Sequence, residues 1–273
     1  MQTQTHHISL GETEVRKRFR NWADGEPDRE WGCLRVIWAH APGLAPRPLR
    51  RETSDGCPVV VMSRVPGIAL GTAPLLPSQT RSLGSVLRQL YDIPHRAIVD
   101  AGLPERRLGP TTLPTVLRGW LAEDHDLSAC KDRSLVAAGV DAARNHFTRS
   151  ESLPTPVFAS LGIADLNPAN IIWDGERCRL VDFEDGGLTD PAYDLADHGE
   201  HIASRIGGVI DIEALTDAVG LSDDERGRMI RYRPLWATFW LMMLLPGNGA
   251  FRRNPVGTTE LQARHLIALL ARS

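Results

Sequence analysis

A short stretch near the middle of the chain carries oxygen-bearing side chains at a spacing that suits metal chemistry. Asp165 lies five residues before Asn170, and Asp182 follows two short strand-like runs that flank Asp174-Gly175. An Asp-Gly pair between such runs is a strong signal for a β-hairpin turn. Counting back from that turn places Asn170 within a position or two of Asp182, at one end of the hairpin. Because Mg²⁺ prefers oxygen ligands of this kind, we predict a metal held by Asn170 and Asp182, with Asp165 on the loop that enters the hairpin.

Length, charge and hydropathy limit the class of protein. The 273 residues allow one large domain or two smaller ones, and the net charge of −3 gives no basic field that would attract nucleic acid. The most apolar run, 235–245, is about half as long as a membrane span, and no secretory leader is visible. We therefore predict a cytoplasmic protein with no nucleic-acid and no membrane partner. Its four cysteines form no Cys-x-x-Cys pair, which favours reduced thiols over zinc or disulfides.

The beginning of the chain predicts a hairpin with a lysine on its apolar face. Residues 7–19 alternate with period two on either side of Gly11-Glu12. Lys17 falls on the same face as Val15 and Phe19, where an ammonium group needs a partner. A solvated basic strand edge, with arginines on both sides of the lysine, is the alternative interpretation.

A helix is predicted to open at Pro27, since proline is favoured at the first helical position. Trp31, Leu34 and Trp38 recur at helical spacing and predict its buried face. Glu30 then lies in the first turn of this helix.

The order of strand and helix patterns predicts an α+β fold with two lobes. Residues 59–62 form a short apolar strand, and helical patterns dominate from Pro77 onward. We assign residues 1–66 to a small β-rich lobe with its hinge, and residues 67–273 to a large helical lobe with the embedded hairpin. Within the large lobe, helices are predicted after Ser78, over 115–127, 134–147 and 194–206, from Ser222, over 235–245 and at 263–270.

The block around the hairpin resembles the aminoglycoside phosphotransferase and choline kinase-like family of small-molecule kinases. The resemblance rests on Asp165-Leu-Asn-Pro-Ala-Asn170, on Asp182-Phe-Glu-Asp185 and on Asp190-Pro-Ala-Tyr-Asp194. These motifs agree in order, whereas Asp-x-x-x-x-Asn alone would be a common chance match. The family implies a bilobal protein-kinase-like fold with a small antiparallel β lobe. It also implies transfer of the γ-phosphoryl group of ATP or GTP to a hydroxyl of an antibiotic, or of an amino-alcohol or sugar metabolite.

The resemblance gives roles to the residues around the hairpin. Asp165 would orient the acceptor hydroxyl and accept its proton. Asn170 and Asp182 would hold Mg²⁺ against the phosphates.

On the nucleotide side, a kinase uses a strand lysine to bind phosphates and a glutamate on the next helix to hold that lysine. Lys17 and Glu30 fit this order and rough spacing. The hinge between the lobes, where backbone groups meet the nucleotide base, is assigned to Met62, Ser63 and Arg64.

The stretch 182–200 contains seven acidic residues and no lysine or arginine. Several of these acids could line a pocket for a cationic acceptor such as an amino sugar or a choline-like amine. Glu184, Asp185 and Glu200 are the candidate substrate residues. In the alternative, Asp190 and Asp194 are loop and helix-cap residues, and Asp197 and Glu200 face solvent.

His198 and His201 lie three residues apart, a spacing that would allow metal binding on a helix. Because no third ligand is evident, we interpret them as surface or pocket histidines.

Two features depart from the family's pattern. In the family the catalytic loop usually begins His-Gly-Asp, and the histidine stabilises the loop by hydrogen bonding. In this sequence the corresponding residues are Ile163-Ala164-Asp165. Asp165 would then be held by apolar packing, or activity would be low. Few residues precede Ile8, so we expect a truncated small lobe without a phosphate-covering glycine-rich loop. The alternative function is therefore a pseudokinase that binds a nucleotide or metabolite without turnover. For the oligomeric state, we expect a monomer or a homodimer.

Overall fold

The computed structural model describes residues 6–148 and 154–272, beginning with a small antiparallel sheet. Its strands are β1 (His6–Leu10), β2 (Glu14–Phe19), β3 (Pro48–Ser54) and β4 (Cys57–Ser63), in the order β1-β2-β4-β3. The predicted hairpin over residues 7–19 is confirmed, since Ile8 pairs with Lys17. The expected absence of a phosphate-covering loop concerns residues ahead of β1, and these lie outside the described residues.

Helix α1 (Glu26–His40) crosses from β2 to β3, and its buried face differs from the predicted one. Glu30, Cys33, Leu34 and Ile37 are buried, whereas Trp38 is 44% exposed. Trp38 instead lies outside the core, with the Arg47 guanidinium 5.7 Å from its ring. Compared with the prediction, the helix therefore turns Glu30 toward Lys17 of the sheet and Trp38 away from the core.

After Ser63 the chain leaves the small sheet, and β5 (Ile68–Ala69) pairs with a strand of the large lobe. The division between residues 66 and 67 stays a prediction. The large lobe consists of α2 (Pro77–Tyr91), α3 (His95–Asp100), α4 (Leu113–Ala122), α5 (Arg133–Thr148), β6 (Ser160–Gly162), a 3-10 turn (Pro168–Asn170), β7 (Ile171–Trp173), β8 (Cys178–Leu180), β9 (Gly187–Thr189), α6 (Pro191–Glu200), α7 (Ile202–Arg205), α8 (Ile212–Val219), α9 (Asp223–Met243), α10 (Gly249–Arg253) and α11 (Thr258–Leu270).

Two predicted helices of the large lobe form one long helix. The helix predicted from Ser222 is confirmed and opens on a capping box, in which the Ser222 hydroxyl accepts the N–H of Glu225 and the Glu225 carboxylate accepts the N–H of Ser222. From there α9 runs through Pro234 to Met243. Proline removes one helical hydrogen bond, and here the helix continues past it with buried side chains on both sides.

The helix predicted over 194–206 is divided into two. Helix α6 already begins at Pro191, where the Asp190 carboxylate caps it by accepting the N–H of Ala192 at 3.0 Å. It ends at Glu200, and the non-helical backbone of His201 (φ −57°, ψ 125°) separates it from α7. Every residue of α6 is buried, so this helix is the central scaffold of the large lobe. Helix α2 likewise starts two residues earlier than expected, with Leu76 rather than Ser78 in the cap position.

The two lobes share one continuous apolar core. The four cysteines are free thiols. Across residues 6–148 and 154–272, no trio of His, Cys, Asp or Glu side chains is arranged to bind a metal. The helices in the same ranges lack the combination of length and apolarity that crossing a membrane requires.

Candidate active site

Strands β7 and β8 form the predicted hairpin. Ile171 pairs with Leu180, and the N–H of Val181 donates to the carbonyl of Asn170 at 3.0 Å. The connecting loop has four residues instead of two, because Trp173 pairs with Cys178. Within it the Asp174 carboxylate accepts the N–H groups of the two loop residues that follow Gly175, each at 2.9 Å. The hairpin therefore delivers Asn170 and the chain just before Asp182 to one end.

Asn170 and Asp182 both line a cleft between the lobes. The Asn170 amide donates from Nδ2 to the backbone carbonyl of Asp165 at 3.1 Å, so its Oδ1 is the atom suited to a metal. Asp182 has a backbone φ of +72°, which is uncommon for a residue other than glycine, and it precedes the fully buried Phe183. This pair of oxygen ligands is the arrangement the hairpin argument predicted.

Lys17 is buried among three carboxylates. Its Nζ lies 2.8 Å from Glu30 Oε2 and 3.0 Å from Glu184 Oε2, and it also donates to Asp182 Oδ1. Burial by itself lowers the pKa of Lys17, but the three carboxylates outweigh it and raise the pKa above its ordinary value. The interpretation of this strand as a solvated basic edge is therefore wrong, since Lys17 is 2% exposed.

The three carboxylates give this cluster a surplus of negative charge over the one ammonium. Burial raises the pKa of Glu184, yet His6 and Lys17 together hold it at about 2, so Glu184 is ionised. His6 Nδ1 lies 3.3 Å from that carboxylate. A surplus of carboxylates that includes Asp182, next to the amide oxygen of Asn170, favours a divalent cation at this place. The donor set therefore fits Mg²⁺.

Asp165 lies on the loop ahead of the 3-10 turn, next to the cleft-lining Asn170, and its side chain is 46% exposed. Its Oδ1 accepts the N–H of Asn167 at 3.1 Å. The loss of hydration in the cleft, followed by the charges of Asp182, Asp197 and Asp185, raises the pKa of Asp165 to about 6. Ordinary aspartate carboxyls are far more acidic, and a raised value improves a carboxylate as a proton acceptor near neutral pH.

The cleft itself has a volume of about 400 Å³ and receives residues from both lobes. The predicted hinge residues Met62, Ser63 and Arg64 line it. The N–H of Ser63 donates to Arg47 and that of Arg64 donates to Thr13, both at 2.8 Å. Because both N–H groups are already used, a backbone hydrogen bond from these two residues to a nucleotide base would use a carbonyl oxygen.

A model of the phosphotransferase enzyme family, APH, matches residues 6–230. The chain belongs to this family. Solved structures with the same fold include the complex of APH(2″)-IIIa with GDP and kanamycin, with a TM-score of 0.64 and 16% identity over 100% of this chain and 92% of that one. Spectinomycin phosphotransferase APH(9)-Ia in complex with ADP and spectinomycin has a TM-score of 0.63 and 14% identity, covering 99% and 90%. Choline kinase LicA from Streptococcus pneumoniae has a TM-score of 0.62 and 14% identity, covering 100% and 92%.

None of the curated proteins matches the chain. Identities this low show the fold alone, and that fold is the predicted bilobal, protein-kinase-like α+β architecture. The family resemblance stated from the motifs is confirmed.

In this phosphotransferase the three predicted substrate residues are dispersed. Glu184 lies on the nucleotide side, against Lys17. Asp185 is partly exposed and lies 3.3 Å from Arg107. Glu200 is fully buried, with its carboxylate 2.8 Å from Arg233 Nε and 2.7 Å from His265 Nε2. The structure therefore does not bring Glu200 into the site, and the alternative that it faces solvent is wrong as well.

His201 lies against Asp165, and sequence reasoning did not connect the two. Its Nδ1 accepts the N–H of Ala203 at 3.3 Å, so the neutral ring carries its proton on Nε2, 3.5 Å from Asp165 Oδ1. Burial, followed by the charge of His198, lowers the pKa of His201 to about 4, which keeps the ring neutral. The ring packs edge-on against Trp240 with centroids 4.8 Å apart. The interpretation of His201 as a pocket histidine stays a prediction, and a surface position is wrong for His198, which is 1% exposed.

A second missed residue is Arg106, in the segment between α3 and α4. Its Nη2 donates to the carbonyl of Ala164 at 3.2 Å, one residue before Asp165. Arginine in a loop carries no periodic signal, so only the three-dimensional structure could reveal this contact.

Proposed function

We propose that this protein transfers the γ-phosphoryl group of ATP or GTP to a hydroxyl of a small molecule. The observation that carries the proposal is the convergence of Lys17, Asn170 and Asp182 in one cleft between the lobes, with Asp165 on the adjoining loop. Membership of the phosphotransferase family supports the class of reaction. The arrangement of these four polar residues supports this chemistry.

In the proposed reaction the acceptor oxygen forms a bond to the γ-phosphorus, and the bond from that phosphorus to the bridging oxygen breaks. The nucleoside diphosphate leaves, and the proton of the hydroxyl moves to Asp165. Lys17, held by Glu30, binds phosphate oxygens in exchange for part of its carboxylate contacts. Phosphoryl transfer asks the protein mainly for positioning and charge compensation, and these residues provide both.

Asn170 and Asp182 would hold Mg²⁺, which neutralises charge on the phosphates when it is bound. The protein's own contribution is the hairpin, which fixes these two oxygen ligands relative to Asp165. The surplus of carboxylates around Lys17 supports a cation at this place.

For the acceptor we favour a molecule that carries an amino group. Asp165, Asp182 and Asp185 are close enough for each of the latter two charges to raise the pKa of Asp165. A cationic group next to the hydroxyl would relieve that repulsion. An aminoglycoside and an amino-alcohol both satisfy this requirement, so a role in antibiotic resistance and a role in metabolism follow from different acceptors. A cytoplasmic location, and action as a monomer or homodimer, stay predictions.

The test is a transfer assay with γ-labelled ATP and GTP, with and without Mg²⁺, against aminoglycosides, nucleoside antibiotics, choline and amino sugars. We expect Mg²⁺-dependent labelling of one class of acceptor. Replacing Asp165 by Ala should reduce turnover by roughly 100- to 10,000-fold and leave nucleotide binding intact. Unchanged turnover in this variant would remove Asp165 from its role. Binding of nucleotide by the wild type without transfer or hydrolysis would favour the pseudokinase alternative.

A further inference from the structure

Arg106 is a buried arginine that joins the central helix α6 to the loop of Asp165. It is 3% exposed, and its Nη1 donates to Asp194 Oδ1 at 2.6 Å. Its Nη2 donates both to Asp197 Oδ2 at 2.5 Å and to the Ala164 carbonyl at 3.2 Å. One guanidinium group thus binds two carboxylates of a rigid helix and the peptide that precedes Asp165.

The peptide that Arg106 binds has an unusual conformation. Ala164 has a φ of +72°, in the left-handed region that a residue with a Cβ atom rarely adopts. Ile163, the neighbour at the position of the family's usual histidine, is fully buried and offers no side-chain hydrogen bond. The side-chain hydrogen bond that holds this peptide therefore comes from Arg106.

The surroundings of the guanidinium group make it a fixed support. The rings of Tyr193 and Trp236 lie 5.4 Å and 5.1 Å from it. Asp194 also accepts the Tyr91 hydroxyl at 3.1 Å and lies 3.2 Å from His198. A planar fork that is stacked and hydrogen-bonded in this way has little freedom to move, which lysine could not reproduce.

We propose that Arg106 is a positioning residue for Asp165, which takes the place of the histidine that props this loop in the family's usual pattern. The proposal rests on the proposed function. Arg106 transmits the rigidity of α6 to the Ala164 peptide and so fixes the direction in which the Asp165 side chain leaves the loop.

The chain offers a matched control in a second arginine–aspartate pair on the same helix. Arg228 binds Asp190, at the start of α6, through Nε–Oδ2 at 2.8 Å and Nη2–Oδ1 at 3.2 Å. Asp190 is as fully buried as Asp194. The contacts of Arg228 do not include the loop 163–165, so its loss reports a structural effect without a positioning effect.

The experiment compares Arg106→Lys with Arg228→Lys. Lysine keeps the charge that the buried carboxylates need but cannot form the three directed bonds. We expect Arg106→Lys to lower kcat by about 100-fold, as for a catalytic group displaced by a fraction of an ångström to one ångström. The KM and the dissociation constant of the nucleotide should change little. Arg228→Lys should lower the melting temperature comparably and leave kcat nearly unchanged.

Parallel losses of kcat and melting temperature in both variants, or an unchanged kcat in Arg106→Lys, would overturn the proposal. If Arg106→Lys does not fold, Asp197→Asn replaces it, since Asp194 still anchors the arginine. That variant should lower kcat by a smaller factor, and an unchanged kcat would contradict the proposal.

Amide hydrogen exchange over residues 163–166 makes the test independent of turnover. Arg106→Lys should accelerate exchange in this segment, whereas Arg228→Lys should not. If the wild type transfers no phosphate, the proposed function fails, while faster exchange still shows that Arg106 holds the loop. Equal exchange in both variants would overturn the positioning role itself.

Discussion

Two buried cations in this molecule, Lys17 and Arg106, are surrounded by carboxylates, but the number of carboxylates around each cation differs. Lys17 lies among Glu30, Asp182 and Glu184, and the Asp182 side chain is open to the cleft. Arg106 lies between two carboxylates, in a site closed by aromatic rings. The first cluster carries a surplus of negative charge and an open side. The second is enclosed, and its hydrogen bonds are made within the protein.

This difference suggests different roles: the Lys17 cluster binds ligands, and the Arg106 cluster holds the loop of Asp165 in place. A buried surplus of charge is costly, so the Lys17 cluster is completed by groups from outside the protein, such as a metal ion and phosphates. The charges of the Arg106 cluster are paired within the protein, so this cluster can hold the peptide before Asp165 in a fixed position. We therefore expect changes at Lys17 to alter nucleotide binding, and changes around Arg106 to alter the use of a nucleotide already bound.

The largest effect in this comparison is expected for Lys17→Met. The variant loses a phosphate-binding group and leaves three carboxylates to repel the nucleotide. Its kcat/KM should fall by roughly 100- to 1,000-fold, the cost of removing one preorganised charge from a transition state. Steady-state kinetics and calorimetric titration with the nucleotide measure both effects. The exposed Lys131 provides the control, since Lys131→Met should match the wild type. Normal affinity in Lys17→Met would contradict the binding role of the cluster.

The pH dependence of kcat/KM should reveal the pKa of Asp165, which burial and then the neighbouring carboxylates raise. Its pKa is raised to about 6, so the carboxyl is protonated below that pH and cannot accept a proton. We expect kcat/KM to fall about tenfold for each pH unit below 6, and to level off above it. Asp185→Asn removes one of the charges that raise this pKa and should move the acidic limb to lower pH. A limb near pH 4 in the wild type, or one that Asp185→Asn leaves in place, would contradict this explanation.

A smaller effect is expected from His201, which approaches the carboxylate of Asp165 directly. His201→Phe keeps the ring against Trp240 but removes the Nε2–H group 3.5 Å from Asp165. We expect kcat to fall about tenfold, because a single polar contact to a charged group is lost. His201→Gln keeps a donor at a comparable reach and should retain most activity. Equal losses in both variants, together with a lower melting temperature, would indicate a packing role instead.

The parts of the site that sequence could predict are those that local structure brings together. Asn170 and Asp182 flank one hairpin, so the turn at Asp174-Gly175 determined their proximity before any fold was known. Lys17 and Glu30 lie on consecutive elements, and the family resemblance suggested that they meet. The bilobal fold followed from strand patterns ahead of helical ones. In each case a short-range pattern carried the information.

The parts that sequence could not predict depend on contacts between distant elements. Arg106 is separated from Asp194 by 88 positions, and no periodicity marks it. His201 ends α6, where the predicted helix was expected to continue. Trp38 was assigned to the buried face of α1. In the structure Glu30 lies on that face, in contact with Lys17, and Trp38 is exposed. In α6, buried on all sides, periodicity could not tell which acids face the site.

The smallest effect on activity is expected at Glu200, whose enclosed cluster resembles that of Arg106 without its link to the loop. Glu200→Gln weakens the contacts with Arg233 and His265 and should lower the free energy of unfolding by about 3 kcal/mol, since a buried ion pair loses one charge. The KM for the acceptor should not change. Glu213→Gln is the control, because this exposed carboxylate lies 3.9 Å from the same arginine. Chemical denaturation and acceptor kinetics measure the two quantities. A raised KM for the acceptor with an unchanged free energy of unfolding in Glu200→Gln would indicate that Glu200 contacts the substrate. It would also mean that a buried cluster whose charges are paired within the protein can bind ligands.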